Sequence, residues 1–339
     1  MRRTLLAFLL SAPALTFAQP VITASQLIAQ PNISVVADSL NWMDMSNMGG
    51  PNQTWDFSDL TTLNINYTYN WVTPASVPGG NLFPSANVAT SVEGVQFFNN
   101  ITSTEYLEAG YYLETEGSTL METYSNPSTR FALPLTYMNS GTDNFSSTIT
   151  FDGDILFTSS GTTTWDVIGY GTLILPEGSF TDVLLLHAFE SSTDVQDFEG
   201  LQFVTNVSST TYAFMKANNP FPLMVFDQTT TANDFFSETS QGGLLFGGNQ
   251  SGGGGGTSVV ESSLIGINAY PNPTSEQLHF QFGNMQPTEM TLRSLDGKEV
   301  MRFNENVPSS INVANLASGI YFVDLKDNQS TTSLKFVKL

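Results

Sequence analysis

Short runs of alternating apolar and polar residues recur through the first two thirds of the chain, and this alternation dictates the fold class. In an extended strand successive side chains point to opposite faces, so each run has one face to bury. Gly, Pro, Asn and Ser interrupt the runs about every 8–12 residues, which is typical of antiparallel strands joined by tight turns. The runs are Val88–Phe98, Thr104–Glu114, Thr119–Tyr124, Phe131–Met138 and Phe145–Phe151. No window shows sustained helical periodicity, so the sequence predicts an all-β chain with a large antiparallel, β-sandwich-like body.

The most regular segment of the body predicts a long hairpin. Thr164–Leu175 and Val183–Glu190 read as strands, and Pro176–Ser179 reads as the turn between them. Leu184–Leu186 is continuously apolar, as expected for a strand covered on both faces. His187 follows this run, and we interpret it as a structural residue rather than a catalytic base.

Aromatic residues stand out in two other predicted strands. Trp55 and Phe57 share one strand face, and we predict that both belong to the core. Tyr67, Tyr69 and Trp71 form a regular row on another face. We predict a core role for this row as well, with the alternative that it stacks on a glycan.

Charge separates the chain into an acidic body and a nearly balanced C-terminal part. The 339 residues suit two domains, and residues 19–256 carry 23 acidic side chains against Arg130 and Lys216. A surface this acidic will not hold a nucleic-acid backbone or an anionic membrane. We interpret the acidity as a device for solubility, with divalent-cation binding as the alternative. The pair Asp152 and Asp154 around Gly153 is predicted to form a hairpin turn rather than a calcium loop.

Sequence motifs for catalysis or cofactor binding are not found. There are two His and no Cys, and no nucleophile elbow, zinc-protease, phosphate-loop or dinucleotide-binding pattern occurs. We therefore assign no catalytic, cofactor or metal residues and expect no cofactor. The alternative is a polysaccharide hydrolase with a carboxylate pair, whose carboxyls would lie about 5–5.5 or 6.5–9.5 Å apart in a cleft.

The first 18 residues have the pattern of a secretory signal peptide. Arg2 and Arg3 precede the apolar run Leu5–Leu10, and small residues precede the predicted cleavage between Ala18 and Gln19. No other apolar run is long enough to predict a transmembrane helix.

The C-terminal part predicts a separate small module. Leu278, Phe280 and Phe282 alternate with polar residues, and the Asp296–Gly297 pair predicts a hairpin. The Gly-rich tract 242–256 is predicted to be a flexible linker. The expected organisation is a signal peptide (1–18), an all-β extracellular body (19–241), the linker, and an Ig-like β-sandwich module (264–339).

The module resembles the type A C-terminal sorting domain of the type IX secretion system, on four motifs found in the family's order. These motifs are a YPNP-type segment before the first long strand, a D/N-G-K/R hairpin, an L-x-x-G-x-Y pattern at the start of a later strand, and a C-terminus of basic and apolar residues. The matching residues are Tyr270, Pro271, Asn272, Pro273, Asp296, Gly297, Lys298, Gly319, Tyr321 and Lys335.

The resemblance implies a destination for the protein and partners for its C-terminal module. The implied partners are the type IX translocon and its sortase-like peptidase. The implied location is outside a Gram-negative cell or on its surface, reached through the periplasm. The resemblance covers less than a quarter of the chain and implies nothing about the body. We expect the body to be a binding or surface-structural module whose ligand is an extracellular glycan or protein.

Overall fold

The computed structural model of the chain describes residues 19–28, 32–115, 117–198, 201–233, 237–248, 250, 268–270, 274–282, 287–294, 298–304, 306–326 and 331–338. Most of these residues lie in strands, so the all-β prediction is confirmed. The predicted signal peptide lies outside the described ranges. Within them, no helix is long and apolar enough to cross a bilayer.

The described part of the body consists of strands, one short helix and two turns of 3-10 helix. The helix α1 is Ala24–Ile28, and the 3-10 turns are Pro74–Ser76 and Gly80–Leu82. The strands are β1 Val21–Ile22, β2 Ile33–Leu40, β3 Gly50–Asp56, β4 Asn66–Val72, β5 Val88–Val92, β6 Val95–Ile101, β7 Glu105–Thr115, β8 Ser118–Ala132, β9 Leu135–Thr136, β10 Ser140–Phe151, β11 Asp154–Leu175, β12 Gly178–Phe198, β13 Leu201–Lys216, β14 Met224–Ala232 and β15 Ser237–Leu245.

Twelve of the described strands form a ladder that closes on itself. The order is β2-β4-β5-β6-β7-β8-β10-β11-β12-β13-β14-β15, and β15 pairs again with β2. Every neighbouring pair in this ring is antiparallel, as the alternation predicted. Strand β3 joins the ring from outside by pairing in parallel with β11. The body is therefore a closed, barrel-like sheet in its hydrogen bonding, and its packing as two opposed sheets stays a prediction.

The predicted hairpin between β11 and β12 is confirmed, together with its two covered faces. Strand β11 ends at Leu175 and β12 begins at Gly178. Leu184 and Leu186 point into the ring and join the inner core, whereas Leu185 points outward into a second cluster. This outer cluster lies under the segment that holds β3, which explains why the strand is continuously apolar.

The Asp152–Gly153 pair forms the hairpin turn that the sequence predicted. Both residues have positive φ, 49° and 89°, which is the requirement of the tight two-residue turn between β10 and β11. The Asp152 carboxylate accepts a hydrogen bond of 2.7 Å from the backbone N–H of Thr119. This carboxylate is thus used in fastening the turn to the neighbouring strand.

The predicted core role of the first aromatic pair is confirmed. Trp55 is 3% exposed, packs edge-on against Phe214 at 5.2 Å between ring centroids, and donates its Nε1–H to the carbonyl oxygen of Met48. Phe57 packs against the same outer cluster.

The structure corrects the N-terminal part of the predicted linker, 242–256. Gly242 and Gly243 belong to β15, and Phe246 is buried in the inner core. A Cβ atom on Gly243 would lie 2.5 Å from Cδ1 of Phe226, so this glycine permits close packing rather than flexibility. The body therefore extends beyond residue 241, and residues 251–256 lie outside the described ranges.

The described C-terminal residues form two small antiparallel sheets around one core. The strands are β16 Asn268–Tyr270, β17 Gln277–Gln281, β18 Glu289–Ser294, β19 Glu299–Asn304, β20 Ser310–Asn312, β21 Gly319–Lys326 and β22 Thr331–Lys338. Their orders are β16-β17-β20 and β19-β18-β21-β22. Leu278 of the first sheet and Leu292 of the second belong to the same buried cluster. The all-β module is confirmed, and its Ig-like sandwich geometry stays a prediction.

Candidate functional site

The predicted sorting-motif residues are only partly described, and those that are lie in or beside the module's strands. Tyr270 is in β16, Gly319 begins β21, and Lys335 lies in β22 opposite Phe322. Tyr321 is buried, donates its hydroxyl hydrogen to the carbonyl oxygen of Ala317 at 2.9 Å, and stacks on the ring of Phe336. Pro271, Asn272, Pro273, Asp296 and Gly297 lie outside the described residues.

The strands on both sides of the predicted Asp296–Gly297 turn are paired. Leu292 of β18 lies opposite Met301 of β19, and the backbone N–H of Ser294 donates to the carbonyl oxygen of Lys298 at 2.9 Å. Lys298 is exposed. This pairing agrees with the predicted hairpin, although the turn itself lies outside the described residues.

The closed sheet of the body surrounds a cavity of about 600 Å³. Its wall includes residues from α1, from strands on every side of the ring and from the segment before β14. The lining residues are Leu27, Tyr69, Trp71, Thr90, Phe97, Asn99, Tyr106, Glu108, Arg130, Phe131, Thr163, Leu186, Ala188, Glu190, Val207, Ser209, Thr211, Ala213, Met215, Pro220, Phe221, Pro222, Asp227 and Thr229. The cavity is the candidate functional site of the body.

Strand alternation gives the cavity an apolar level and a polar level. On β12, Leu186, Ala188 and Glu190 point to the same inner face, so the strand changes from apolar to charged along its length. On β13, Ala213 lies opposite Leu186, and Ser209 lies opposite Glu190. These two neighbouring strands therefore change from apolar to polar at the same height, and the apolar residues Val207 and Phe97 line the cavity beyond the polar level.

A β-bulge directs Arg130 into the cavity. Tyr106 of β7 pairs with Phe131 of β8, but the next residue of β7, Leu107, pairs with Thr129. Arg130 is the extra residue between these two pairs. A bulge of this kind turns a side chain away from the face that strict alternation would give it. As a result Arg130 and Phe131 both line the cavity.

The Arg130 guanidinium lies between two carboxylates from different sides of the ring. Its Nη1 donates to Oε2 of Glu190 on β12 at 3.0 Å, and its Nη2 contacts Oε2 of Glu108 on β7. Thr163 on β11 donates a further hydrogen bond of 3.2 Å to the same Glu190 oxygen, and it is itself bonded to the buried Ser128. We call Glu108, Arg130 and Glu190 the ionic triad.

The ionic triad faces the cavity rather than the outer surface. The Arg130 side chain keeps 40% of its surface accessible, compared with 12% for Glu108 and 26% for Glu190. All three residues line the cavity. The accessible part of the Arg130 side chain is therefore surface that a bound molecule could contact.

The electrostatics of the triad follow from burial and from an excess of carboxylates. Burial lowers the pKa of Arg130, but Glu108 and Glu190 outweigh this effect and raise it, so the guanidinium stays charged. Burial raises the pKa of Glu190, although Arg130 opposes the shift. Nearby on β8, burial raises the pKa of Glu122 to about 7, a shift that Ser147 reduces by hydrogen bonding. Arg130 is thus one cation that interacts electrostatically with three neighbouring carboxyl groups.

Two further polar side chains in the cavity wall, Asp227 and Asn99, differ in the number of hydrogen bonds that they make to the protein. Asp227 accepts hydrogen bonds from Ser209 at 2.9 Å, Thr211 at 2.7 Å and Thr229 at 3.0 Å. Asn99, beside Glu108 in the β6–β7 ladder, is 8% exposed, and its carboxamide makes no hydrogen bond to any described residue. Because Asn99 lines the cavity, its carboxamide is a group to which a bound molecule could form hydrogen bonds.

The raised pKa of Glu122 predicts how stability depends on pH. The folded state keeps a proton that the unfolded state releases above pH 4.5, so stability falls as the pH rises from about 4.5 through about 7. Glu122→Gln removes this loss. We expect the variant to gain up to about 3 kcal/mol over the wild type at pH 8 and little at pH 4.

Denaturant titrations at pH 4 and pH 8 measure this difference in unfolding free energy. Glu105→Gln is the matched control, because Glu105 is an exposed glutamate of the neighbouring strand β7. A gain for Glu122→Gln that is the same at both pH values would contradict the raised pKa.

The aromatic row of β4 partly matches its prediction. Trp71 is 2% exposed and packs on Phe221, in agreement with the core role. Tyr69 packs on Phe221 and Phe246, and burial raises the pKa of its hydroxyl to about 12. Both rings also line the cavity, so they face its interior rather than an external glycan.

His187 lies beside Asp166 and Tyr212, and its interpretation as a structural residue stays a prediction. Its Nδ1 lies 2.8 Å from Oδ1 of Asp166, and its ring stacks on Tyr212 at 4.9 Å between centroids. Among the described residues, no three His, Asp or Glu side chains form a group that could hold a metal ion.

Sequence reasoning did not identify the residues of the ionic triad. One signal was available in β12, where Glu190 continues the inner face of Leu186 and Ala188. Glu108 also lies on the inner face of its strand, β7, as the pairing of β7 with its neighbours shows. The signal at Arg130 is its rarity. Residues 19–256 contain 23 acidic residues but only two basic ones, Arg130 and Lys216.

Comparison with known proteins identifies the C-terminal module. Residues 268–339 match the family model described as the secretion system C-terminal sorting domain, which confirms the resemblance. No curated protein matches the chain. The sorting domain supports export by the type IX secretion system and an extracellular or cell-surface location.

Proposed function

We propose that this chain is an exported binding protein whose body holds a small molecule inside its closed sheet. The observation that carries the proposal is the cavity of about 600 Å³ with an apolar level, a polar level and the ionic triad. Ligand sites of proteins typically have volumes of about 300–1,000 Å³, apolar walls and a few convergent polar groups. The cavity fits this description, and the carboxamide of Asn99 in its wall adds a place for a ligand to bond.

The organisation of the chain around this body is proposed as well. We propose that residues 1–18 are removed after Ala18 and that the type IX translocon then recognises the module at 264–339. The sortase-like peptidase of the same system would cut the module away. The body would then act as a β-sandwich-like binding domain outside the cell or on its surface.

A carboxylate-pair hydrolase is less favoured by this geometry. The guanidinium of Arg130 lies between Glu108 and Glu190, and Asp227, the other carboxylate among the lining residues, accepts hydrogen bonds from three hydroxyl groups. A glycosidic bond would have to occupy the space between Glu108 and Glu190 for one carboxyl to protonate it and the other to attack. The ion pairs therefore suit recognition of a ligand better than cleavage.

Filling the cavity is expected to abolish binding. Nile red, a neutral apolar dye, serves as the probe, and its fluorescence should rise saturably with one site per chain. Ala188→Phe places a phenyl ring in the cavity wall and should weaken dye binding about tenfold or more. The matched control is Ser191→Phe, an exposed position on the same strand, which should bind like the wild type.

Two results would contradict the proposal. One is fluorescence that does not saturate at a single site. The other is equal dye binding by the wild type and by a folded Ala188→Phe variant, because the dye would then lie outside the cavity. Circular dichroism and thermal melting establish that each variant is folded.

A further inference from the structure

We propose that the cavity selects amphipathic molecules with a cationic amino head, bound at the polar level, and an apolar body, bound at the apolar level. This inference rests on the proposed function and names the chemical class of its ligand. It is carried by the charges, the free acceptors and the two levels of the cavity wall.

The charged side chains of the wall favour a cation. The lining residues include Glu108, Glu190 and Asp227 but Arg130 as the one basic side chain among those described. Charges interact more strongly in an enclosed site than in bulk water, so this excess disfavours an anion and favours a cation. Glu122, near the triad on β8, increases the negative charge once it ionises.

The hydrogen-bonding groups left over at the polar level are mainly acceptors. Arg130 contacts Oε2 of Glu108 and Oε2 of Glu190, so Oε1 of each carboxylate is left for a ligand. Asn99, next to Glu108, adds a carbonyl oxygen that has no protein partner among the described residues. An ammonium group has three donors and no acceptor, which matches this set.

The apolar level of the cavity requires an apolar body. Trp71 and Phe221 pack together there, and Leu186, Ala213 and Met215 continue the wall. Burying a hydrocarbon chain against these side chains contributes about 0.8 kcal/mol per CH₂ group.

Three probes with the same chain and different heads test the inference. Octylamine is cationic at pH 7.5, octan-1-ol is neutral, and octanoate is anionic. Isothermal titration calorimetry with the purified chain should give octylamine the lowest Kd, about tenfold or more below octan-1-ol, with octanoate weakest.

Removal of one wall carboxylate should reduce this preference. Glu108→Gln should bring the Kd ratio of octylamine to octan-1-ol closer to one, and Asp227→Asn tests the same charge effect if Glu108→Gln does not fold. Glu105→Gln, an exposed change on the strand of Glu108, should leave the ratio unaltered.

The outcomes separate this inference from the proposed function. Suppose that octan-1-ol or octanoate binds as tightly as octylamine and that this binding is lost in Ala188→Phe. The inference about the cationic head would then be wrong, but the proposed binding cavity would still be supported. Nile red binding with no binding of any octyl compound also overturns the inference alone. If neither the octyl compounds nor Nile red binds, the proposed function falls and the inference with it.

Discussion

Removal of residues 257–339 is expected to stop export of the body. The deletion takes away the complete match to the sorting domain, whereas the described body strands end at Leu245. Because the leader would still direct the chain across the inner membrane, we expect the truncated body to be folded and to accumulate in the periplasm. Cell fractionation with an antibody against the body measures this, and the amount in the medium should fall to background.

A transfer experiment provides the matched control for the deletion. The leader, an unrelated soluble protein and residues 252–339 joined in one chain should reach the outside of the cell. Exported protein should also lose several kilodaltons if the module is cut away. Truncated body in the medium at the full-length level, without cell lysis, would mean that the module is a structural appendage.

Arg130→Met should destabilise the body more than any other single change considered above. It leaves Glu108 and Glu190 facing each other in the cavity without their cation. Removing one partner of a buried ion pair costs about 3–5 kcal/mol. Because the Arg130 side chain is partly accessible, we expect about 2–3 kcal/mol at pH 7, which lowers the Tm by about 5–10 °C.

The charge itself, rather than lost packing, should account for most of this effect. Arg130→Met combined with Glu108→Gln and Glu190→Gln removes all three charges and should recover most of the lost Tm. Lys216→Met, at the other basic position of the body, should change the Tm little, because Lys216 donates to the carbonyl oxygen of Thr181 at an exposed site. A triple variant as unstable as Arg130→Met would assign the loss to packing.

Local patterns carried most of the fold prediction. The predicted strand Val183–Glu190 and the Asp152–Gly153 turn depend on neighbouring residues, and both are confirmed. Closure of the sheet could not be predicted in the same way. It depends on the pairing of β15 with β2, whose residues are about 200 positions apart in the chain.

The charged residues of the cavity could not be predicted from local sequence patterns either. Arg130 faces inward because of a bulge, which breaks the alternation that otherwise assigns faces. Glu108 comes from the paired strand β7, but Glu190 comes from β12, which is not a ladder neighbour of β8 and meets Arg130 only across the ring. The Gly242–Gly243 pair was misinterpreted as linker because glycine composition does not distinguish flexibility from close packing against a side chain such as Phe226.

The most direct measurement of the central claim is to locate a bound ligand inside the ring. Crystals grown with 8-bromooctylamine would place a bromine atom at the end of the apolar chain, and anomalous diffraction would find it. The account predicts a bromine peak among Leu186, Met215 and Phe221, with the amino group near Glu108 and Glu190. A cavity that contains no ligand density while bromine peaks lie only on the outer surface would contradict it.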